Sequence, residues 1–200
     1  MPFVLTVDQR ESRETRDAVQ AALALLSGVA TQLPFTRTVG DEFQGLLDEP
    51  ASVVDAILLL MRYEQWHIGL GIGPVEQPLP ADSRSARGPA FLCARTAVEA
   101  AKTEPSHLAV VAAHESDHEA YDLQTVWRLT AALRHRRSES GWQAVDLMLA
   151  GQTQSQVARQ LKISRQAVGQ RLQAARWDLE VAIRPTLVRM LARADRSASA

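Results

Sequence analysis

Residues 36–47, with the sequence TRTVGDEFQGLL, constrain the fold of this chain more than any other segment. Their threonine, valine and phenylalanine side chains favour extended backbone, and Gly40-Asp41 has the residue types of a tight turn. We therefore predict two short strands joined at Gly40. Asp41 and Glu42 are then expected at the hairpin tip, where paired carboxylates are suited to a hard divalent cation. A solvated turn that binds nothing is the alternative.

A further acidic residue follows residues 3–7, a compact apolar run that predicts a buried strand. Asp8 is expected at the point where this strand leaves the core. If the strand and the hairpin are neighbours, Asp8 and Asp41 can share one metal ion, with Glu42 as a third ligand. These three acids therefore form a candidate metal site.

Length and composition indicate a cytoplasmic protein with two folded parts. The 200 residues are 46% hydrophobic, which suits one domain with a substantial core and a small second domain. No apolar run in the sequence approaches the roughly 20 residues of a membrane span, and no secretory signal pattern is found at its start. Cys93 is the single cysteine, so no disulfide can form within the chain.

Charge divides the chain into two halves of opposite sign. Residues 1–117 contain 9 Lys+Arg and 16 Asp+Glu, a net charge of −7, whereas residues 118–200 contain 13 and 7, a net charge of +6. An acidic front part and a basic rear part are therefore expected. The basic part is the one suited to a polyanionic partner such as DNA.

The front part alternates strand and helix patterns. After the first strand, a helix is predicted over residues 12–32 with Ser12 as its N-cap, and the hairpin follows. Further helices are predicted over residues 52–63 and 89–102, and further strands over residues 66–75 and 107–112. This order predicts an α+β sandwich in which helices cover one face of a mainly antiparallel sheet.

Two features of the front part imply the close approach of another group. Gly69, Gly71 and Gly73 occupy every second position of a predicted strand, so either a ligand or another backbone is expected against that face. Arg10 lies beside the predicted helix start at Ser12, where backbone N–H groups can bind phosphate.

Several short motifs, taken together and in this order, resemble the SatD family. They are VDQRES at 7–12, TVGDEF at 38–43, IGLGIG at 68–73, RGPA at 87–90 and Ala94-Arg95. The resemblance covers roughly residues 3–112. More distantly, these motifs resemble the palm-type fold of class III nucleotidyl cyclases and diguanylate cyclases, which implies a ferredoxin-like palm domain.

The cyclase resemblance implies a nucleotide site. Cyclase acids at the end of the first strand and in the hairpin turn hold the metal ions that bind a nucleotide triphosphate. This implies that Asp8 and Asp41 hold Mg²⁺ or Mn²⁺ with a nucleotide, and Glu42 matches the metal acid of diguanylate cyclases. Arg37 stands three residues before the turn residue Gly40, at the position of the purine-reading lysine, so both are assigned to the ligand site.

Two departures from the cyclase pattern favour binding over turnover. Arg95 matches the arginine that stabilises the transition state, but Phe91 occupies the position of the asparagine four residues earlier. Loss of a polar group at the reacting phosphate costs on the order of 2 to 4 kcal/mol of transition-state stabilisation. In addition, Val39-Gly40 replaces the paired glycines of diguanylate cyclases. The front domain is therefore expected to bind a nucleotide more readily than it transforms one.

Residues 142–175 contain the second informative pattern. Helices are predicted over residues 142–151, 154–161 and 165–175, with a turn at 162–164. Spaced apolar residues are expected to hold the last two helices at a steep angle, namely Val157, Ala158, Leu161, Ile163, Val168 and Leu172. The pattern resembles the helix-turn-helix of sigma-factor region 4. A plain helical bundle used for pairing is the alternative.

The resemblance implies a set of DNA contacts. Ser164 is expected to cap the recognition helix and to donate to a phosphate. Arg165, Gln166 and Gln170 have forked or amide ends that suit guanine and adenine edges. The remaining predicted contacts, to backbone phosphates, are Arg159 and Arg171.

The sequence therefore predicts an α+β palm domain followed by an all-α helix-turn-helix domain. The predicted divisions are a palm domain at 1–115, a connecting helix at 116–140, a DNA-binding domain at 141–193 and a disordered tail at 194–200. We expect a homodimeric transcriptional regulator that binds double-stranded DNA and senses a nucleotide or related phosphorylated ligand. The alternatives are a cyclase-like enzyme with a DNA-binding tail, and a front domain that only dimerises.

Overall fold

The structure is a computed structural model that describes residues 2–12, 14–113 and 117–197. Within these residues it has a mixed α+β fold with one five-stranded sheet and eight helices. The element order of the front part, strand–helix–strand–strand–helix–strand–helix–strand, is the predicted one.

Most element bounds lie close to those expected from the sequence. The strands are β1 Phe3–Gln9, β2 Leu33–Arg37, β3 Glu42–Leu47, β4 Trp66–Ile72 and β5 Leu108–Ala112. The helices are α1 Val19–Leu26, α2 Pro50–Met61, α3 Pro89–Ala101, α4 Asp117–His135, α5 Glu139–Leu149, α6 Gln154–Leu161, α7 Arg165–Ala174 and α8 Trp177–Ser197. Contacts divide the chain into two compact units, one of Met1–Arg128 with Leu187–Ala200 and one of Leu129–Thr186.

The sheet lies in the first unit and has the order β2-β3-β1-β4-β5. Neighbouring strands are antiparallel except β4 and β5, which are parallel. The predicted hairpin is confirmed, because β2 and β3 pair and Gly40 between them has a φ of 62°, which glycine adopts without strain. Thr38 N–H donates to the Glu42 carbonyl oxygen at 2.9 Å and closes the turn.

One face of the sheet is covered by α3, whose backbone lies directly on β4. A Cβ atom added to Gly71 would lie 2.1 Å from the Ala90 carbonyl oxygen, and one added to Gly69 would lie 2.3 Å from the Val98 nitrogen. Of the two explanations for the alternating glycines, the structure therefore supports the close approach of another backbone at these two positions.

The opposite face of the sheet is also covered, so the expectation that helices cover one face is wrong. Phe3, Leu5 and Val7 alternate with the residues that face α3, yet all three are fully buried. Helix α1 contacts α2 and β2, and α2 contacts β1, β3 and β4. The first strand is apolar on both sides because it is the central strand of a sheet with two covered faces.

Helix α1 begins at Val19, seven residues later than Ser12, the predicted N-cap. The buried Gln9 side chain holds the preceding loop in a non-helical path, donating to the Arg16 carbonyl oxygen at 2.8 Å and accepting from Ala18 N–H at 2.8 Å. Asp17 Oδ1 accepts from Val19 N–H at 3.0 Å at the helix start. Arg13 lies outside the described residues.

The second unit contains three consecutive capped helices, α5, α6 and α7, which contact one another. Ser138, Thr153 and Ser164 each accept a hydrogen bond from a backbone N–H of the first helical turn, and Thr153 forms a full capping box with Gln156. Their shared core is apolar and consists of Trp142, Ala144, Val145, Val157, Ala158, Val168, Leu172 and Ala175.

A buried charge cluster lies at the end of this second unit. Glu180 accepts from Arg134 at 2.6 Å and from Arg137 at 2.8 Å, and all three residues are buried. Both guanidinium groups stack over the Trp142 ring, with centroid distances of 4.8 and 4.3 Å. Arg137 Nε also donates to the carbonyl oxygen of Ala175 at the end of α7. One carboxylate thus compensates two buried cations.

Helix α8 continues through Pro185 as far as Ser197, so residues 194–197 of the predicted disordered tail are helical. Residues 198–200 lie outside the described part of the chain. Across the described ranges, the helices fall short of the length and apolarity that crossing a membrane requires.

Candidate functional site

A cleft of about 510 Å³ opens on the α3 side of the sheet. Its floor is formed by β1 and β3, one wall by the first two turns of α3, and the other wall by residues 76–88. Its lining mixes carboxylate, guanidinium, hydroxyl and amide groups with apolar side chains. This size and mixture are typical of sites for small polar ligands.

The cleft floor follows from the strand register. Thr6 pairs with Gln44, and Asp8 pairs with Glu42, in the antiparallel β1–β3 ladder. Residues that are directly opposite, or two apart on one strand, point to the same face, so these polar side chains share the face covered by α3. Thr6, Gln44 and Glu42 line the cleft, whereas Asp8 does not.

The wall at residues 76–88 is fastened to the sheet by Ser83. This serine is fully buried, and its hydroxyl donates to the Gln44 carbonyl oxygen at 2.9 Å. Gln44 Nε2 donates back to the Ser83 carbonyl oxygen at 2.5 Å, and Thr36 Oγ1 contacts Ser83 Oγ at 2.5 Å. Because Ser83 is held on three sides, the neighbouring Arg84 and Arg87 are placed at the cleft.

Gly88 joins this wall to α3. It has a φ of 131°, and a Cβ atom there would lie 2.7 Å from the Val75 Cα atom, so no other residue fits without rearrangement. Glu76 N–H donates to the Arg87 carbonyl oxygen at 2.9 Å beside it. Pro89 then begins α3, in a position where its fixed backbone angle is favourable.

An ion pair crosses the cleft between Glu42 and Arg95. Arg95 Nη1 contacts Glu42 Oε2, and Thr38 Oγ1 donates to Glu42 Oε1 at 2.8 Å. The Glu42 side chain is 15% exposed and that of Arg95 is 62% exposed. The structure therefore brings together one predicted metal ligand and one predicted ligand-binding arginine, and pairs them with each other.

Asp8 is paired with a cation as well. Lys102, just after α3, contacts Asp8 Oδ2 at 3.1 Å and Glu99 Oε1 at 2.9 Å. The Glu99 hydrogen bond, followed by the Asp8 hydrogen bond, raises the pKa of Lys102 above its usual value, so this ammonium group stays charged. Asp8 is thus neutralised by a side chain of the chain itself.

The residues as arranged do not fit a divalent cation. Among residues 2–12, 14–113 and 117–197, no three acidic, histidine or cysteine side chains are grouped so that they could hold a metal ion. Of the predicted ligands, Asp41 lies in the hairpin turn, and the carboxylates of Asp8 and Glu42 are each occupied by a basic side chain. A metal ion would have to displace both cations.

The other predicted ligand residues do not line the cleft. Arg10 Nη1 donates to the Glu64 carbonyl oxygen at 2.7 Å. Arg37 forms an ion pair with Asp17 at 2.8 Å, and the pKa of Asp17 is lowered, first by the Val19 backbone hydrogen bond and then by Arg37. Gly40 is also absent from the cleft lining. The lining does include Val39 and Phe91, the residue at the position of the cyclase asparagine.

Sequence reasoning missed several polar cleft residues, among them Thr6, Gln44, Arg84 and Arg87. The first two were accessible from strand alternation, because they lie two positions from Asp8 and Glu42. The two arginines were not, since only the long-range Ser83 tether brings their loop to the sheet.

A second candidate site lies on α6 and α7. The turn between them contains Lys162 in the left-handed region, with a φ of 54°, and Ser164 Oγ accepts from Ala167 N–H at 3.1 Å to cap α7. Five of the predicted DNA contacts are exposed, namely Arg159, Ser164, Arg165, Gln166 and Gln170. The sixth, Arg171, is half-buried. The first turns of α7 therefore present a polar, basic surface.

The family model described as SatD family matches residues 7–191 of this chain. No curated protein and no solved structure matches it.

Proposed function

The chain belongs to the SatD family, and for this member we propose a DNA-binding transcriptional regulator whose front unit senses a nucleotide or related phosphorylated ligand. The observation that carries the proposal is the surface of α7. Its N-terminal turns are capped by Ser164 and present Arg165, Gln166 and Gln170 to solvent. This is the arrangement that a recognition helix needs in the major groove.

The packing of the second unit supports a helix-turn-helix reading. Val157 and Ala158 of α6 and Val168 and Leu172 of α7 share one core, and Ile163 of the connecting turn packs against it. A small side chain such as Ala158 in this core lets two helices approach closely. Such packing holds the recognition helix rigidly, which base-specific contacts require.

Charge supports a polyanionic partner for the second unit. Residues 129–186 contain nine Lys+Arg and four Asp+Glu, a net charge of +5. Arg159 is exposed and lies one helix away from the proposed base-reading residues. It is suited to a backbone phosphate, a contact that positions the protein without reading sequence.

The cleft of the first unit supports the sensing role. It is large enough for a nucleotide-sized molecule and contains three arginines for an anionic group. Phe91 and Leu92 offer apolar surface for a planar ring on the same α3 wall. Phe91 at the place of a polar catalytic residue favours binding over turnover.

We propose that the protein acts as a homodimer, as is usual for regulators that bind two half-sites. Four large apolar side chains of the second unit are exposed, Leu129, Leu149, Leu179 and Val181. Light scattering at micromolar concentration gives the oligomeric state directly, and a monomer at all concentrations would remove this part of the proposal.

Gel-shift titration of a duplex from upstream of its own gene tests the DNA-binding role. The full chain should bind that duplex more tightly than a scrambled duplex of equal length. Arg165→Ala should weaken specific binding by about tenfold or more, the effect of losing one bidentate base contact. Arg16→Ala is the matched control, because it removes the same charge from an exposed position of the first unit.

Salt dependence separates DNA recognition from weak electrostatic association. Specific binding should weaken as salt increases, with a slope near −0.9 for each phosphate contact. Arg159→Ala should lower that slope by about one while leaving sequence preference intact. If both duplexes bind equally and Arg165→Ala behaves like Arg16→Ala, the proposed role is wrong.

A further inference from the structure

We propose that the cleft binds the phosphate groups of its ligand on arginine side chains without a metal ion, and that Glu42 occupies Arg95 until the ligand displaces it. The inference deepens the proposed sensing role and rests on it. Asp8 and Glu42, which the cyclase resemblance assigns to metal, are paired with the basic residues Lys102 and Arg95 instead.

Glu42 is held in place to act as an internal competitor. Its carboxylate sits on the cleft floor between Arg95 and the Thr38 hydroxyl, which donates to it at 2.8 Å. The Thr38 bond keeps the carboxylate in position when Arg95 leaves. A phosphate entering the cleft competes with Glu42 for the same guanidinium group, and it offers more negative charge and more acceptor oxygens.

Arg95 is able to change partners because it is the exposed member of the pair. Its side chain is 62% exposed, so solvent screens the ion pair and the arginine can swing without unpacking the core. Its helix is fixed, however, because the backbone of α3 lies directly against Gly69 and Gly71. Displacement therefore moves a side chain and leaves the cleft wall in place.

Arg87 supplies a second cation that is ready for the ligand. Within the part of the chain that the structure describes, its exposed guanidinium group makes no ion pair or side-chain hydrogen bond. Its backbone is nevertheless held, since its carbonyl oxygen accepts from Glu76 N–H at 2.9 Å. Because its backbone is fixed and its guanidinium group is not already bound, Arg87 is preorganised to bind an anion.

Thr6 adds a hydroxyl group to the cleft floor. It is 2% exposed and lines the cleft floor, yet its hydroxyl makes no hydrogen bond to any of the described residues. A ligand oxygen or nitrogen in the cleft would satisfy it.

Calorimetric titration of the full chain in EDTA, with ATP, inorganic pyrophosphate and adenosine as probes, tests this inference. ATP and pyrophosphate should bind in EDTA, whereas adenosine should bind far more weakly. Glu42→Gln should tighten ATP binding by about tenfold, because it removes the competitor for Arg95. Arg87→Gln should weaken ATP binding by about tenfold, because one charged contact is lost.

Glu76→Gln is the matched control for Glu42→Gln. It removes the same charge from another cleft residue that is exposed and has no arginine partner among the described residues. A general reduction of negative charge would tighten ATP binding equally in both variants, whereas displacement predicts a clearly larger gain for Glu42→Gln. Thermal unfolding of each variant checks that the fold is retained. Arg87→Gln changes an exposed side chain, so it tests the site without disturbing the core.

The outcomes separate the inference from the proposed function. ATP binding that requires Mg²⁺ or Mn²⁺ and is lost in Glu42→Gln would make Glu42 a metal ligand, which overturns the inference and leaves the sensing role intact. No binding of ATP or pyrophosphate with or without metal overturns both the inference and the sensing role. The gel-shift result stands independently of either.

Discussion

Asp8 and Glu42 lie directly opposite each other across β1 and β3, and each carboxylate contacts a different basic side chain from α3 or the residue that follows it. The two acids share one sheet face, as a metal site would require. Arg95 nevertheless pairs with Glu42 at the cleft, whereas Lys102 pairs with Asp8, which does not line the cleft. The same strand geometry that suggests a metal centre here produces two ion pairs.

Replacement of Gly71 should destabilise the first unit strongly. A Cβ atom there would lie 2.1 Å from the Ala90 carbonyl oxygen, and backbone cannot move aside as a flexible side chain does. Gly71→Ala should therefore lower the free energy of unfolding by about 3 kcal/mol or more, as overpacking does. Gly28→Ala is the control, because nothing lies within 4 Å of the added methyl group. Urea denaturation of both variants measures the difference, and equal stabilities would contradict the close helix–strand contact.

Removal of the buried carboxylate in the second unit should be costly. Glu180→Gln removes the carboxylate charge that the buried guanidinium groups of Arg134 and Arg137 both contact, so we expect a loss of about 3 to 5 kcal/mol in unfolding free energy. Asp178→Asn, on the same helix but exposed, should change it by about 0.5 kcal/mol at most. Thermal denaturation followed by circular dichroism compares the two. A mild effect of Glu180→Gln would mean that water reaches the arginines.

The cap of α7 should contribute to stability independently of DNA. Ser164→Ala removes the acceptor for Ala167 N–H and should cost about 1 kcal/mol. Ser155→Ala, at an exposed position of α6, should be close to neutral. Chemical denaturation without DNA measures both variants, and no difference between them would show that water replaces the cap at no cost.

His67 should make stability fall in mild acid. Burial lowers the pKa of His67 below its ordinary value of 6.5, and its Nδ1 atom is buried without a hydrogen-bond partner among the described residues. As pH falls through 6.5, His67 therefore binds more protons in the unfolded chain than in the folded chain, so the free energy of unfolding decreases. Denaturation at several pH values should show a shallower decrease for His67→Gln than for the wild type or His118→Gln, and identical slopes would exclude His67 as the cause.

The element order of the front part was predictable because its signals are local. Gly40 between two β-prone segments marks the hairpin, and Pro89 marks the start of α3. The start of α1 was not predictable, since Gln9 diverts the chain through hydrogen bonds to residues up to nine positions away. A side chain that competes for backbone groups over that distance leaves no periodic signal.

The candidate site was predictable where strand alternation determines it. The acids Asp8 and Glu42 do share a sheet face, and Arg95 does reach it. Arg37 was misplaced because it pairs with Phe43 in the β2–β3 ladder, which puts it on the sheet face opposite Gln44 and the cleft, where its side chain contacts Asp17. Which cation neutralises which acid depends on where α3 lies, and that is a tertiary property.

The contact of α3 with β4 also determines how the first unit can respond to a ligand. At Gly69 and Gly71 the main chain of β4 lies directly against the main chain of α3, with no side chain between them that could change its rotamer. Helix α3 and strand β4 are therefore expected to move as one rigid body. Any response to an occupied cleft must arise from the rotation of Arg95 or from the Ser83-tethered segment, and amide exchange should slow there first.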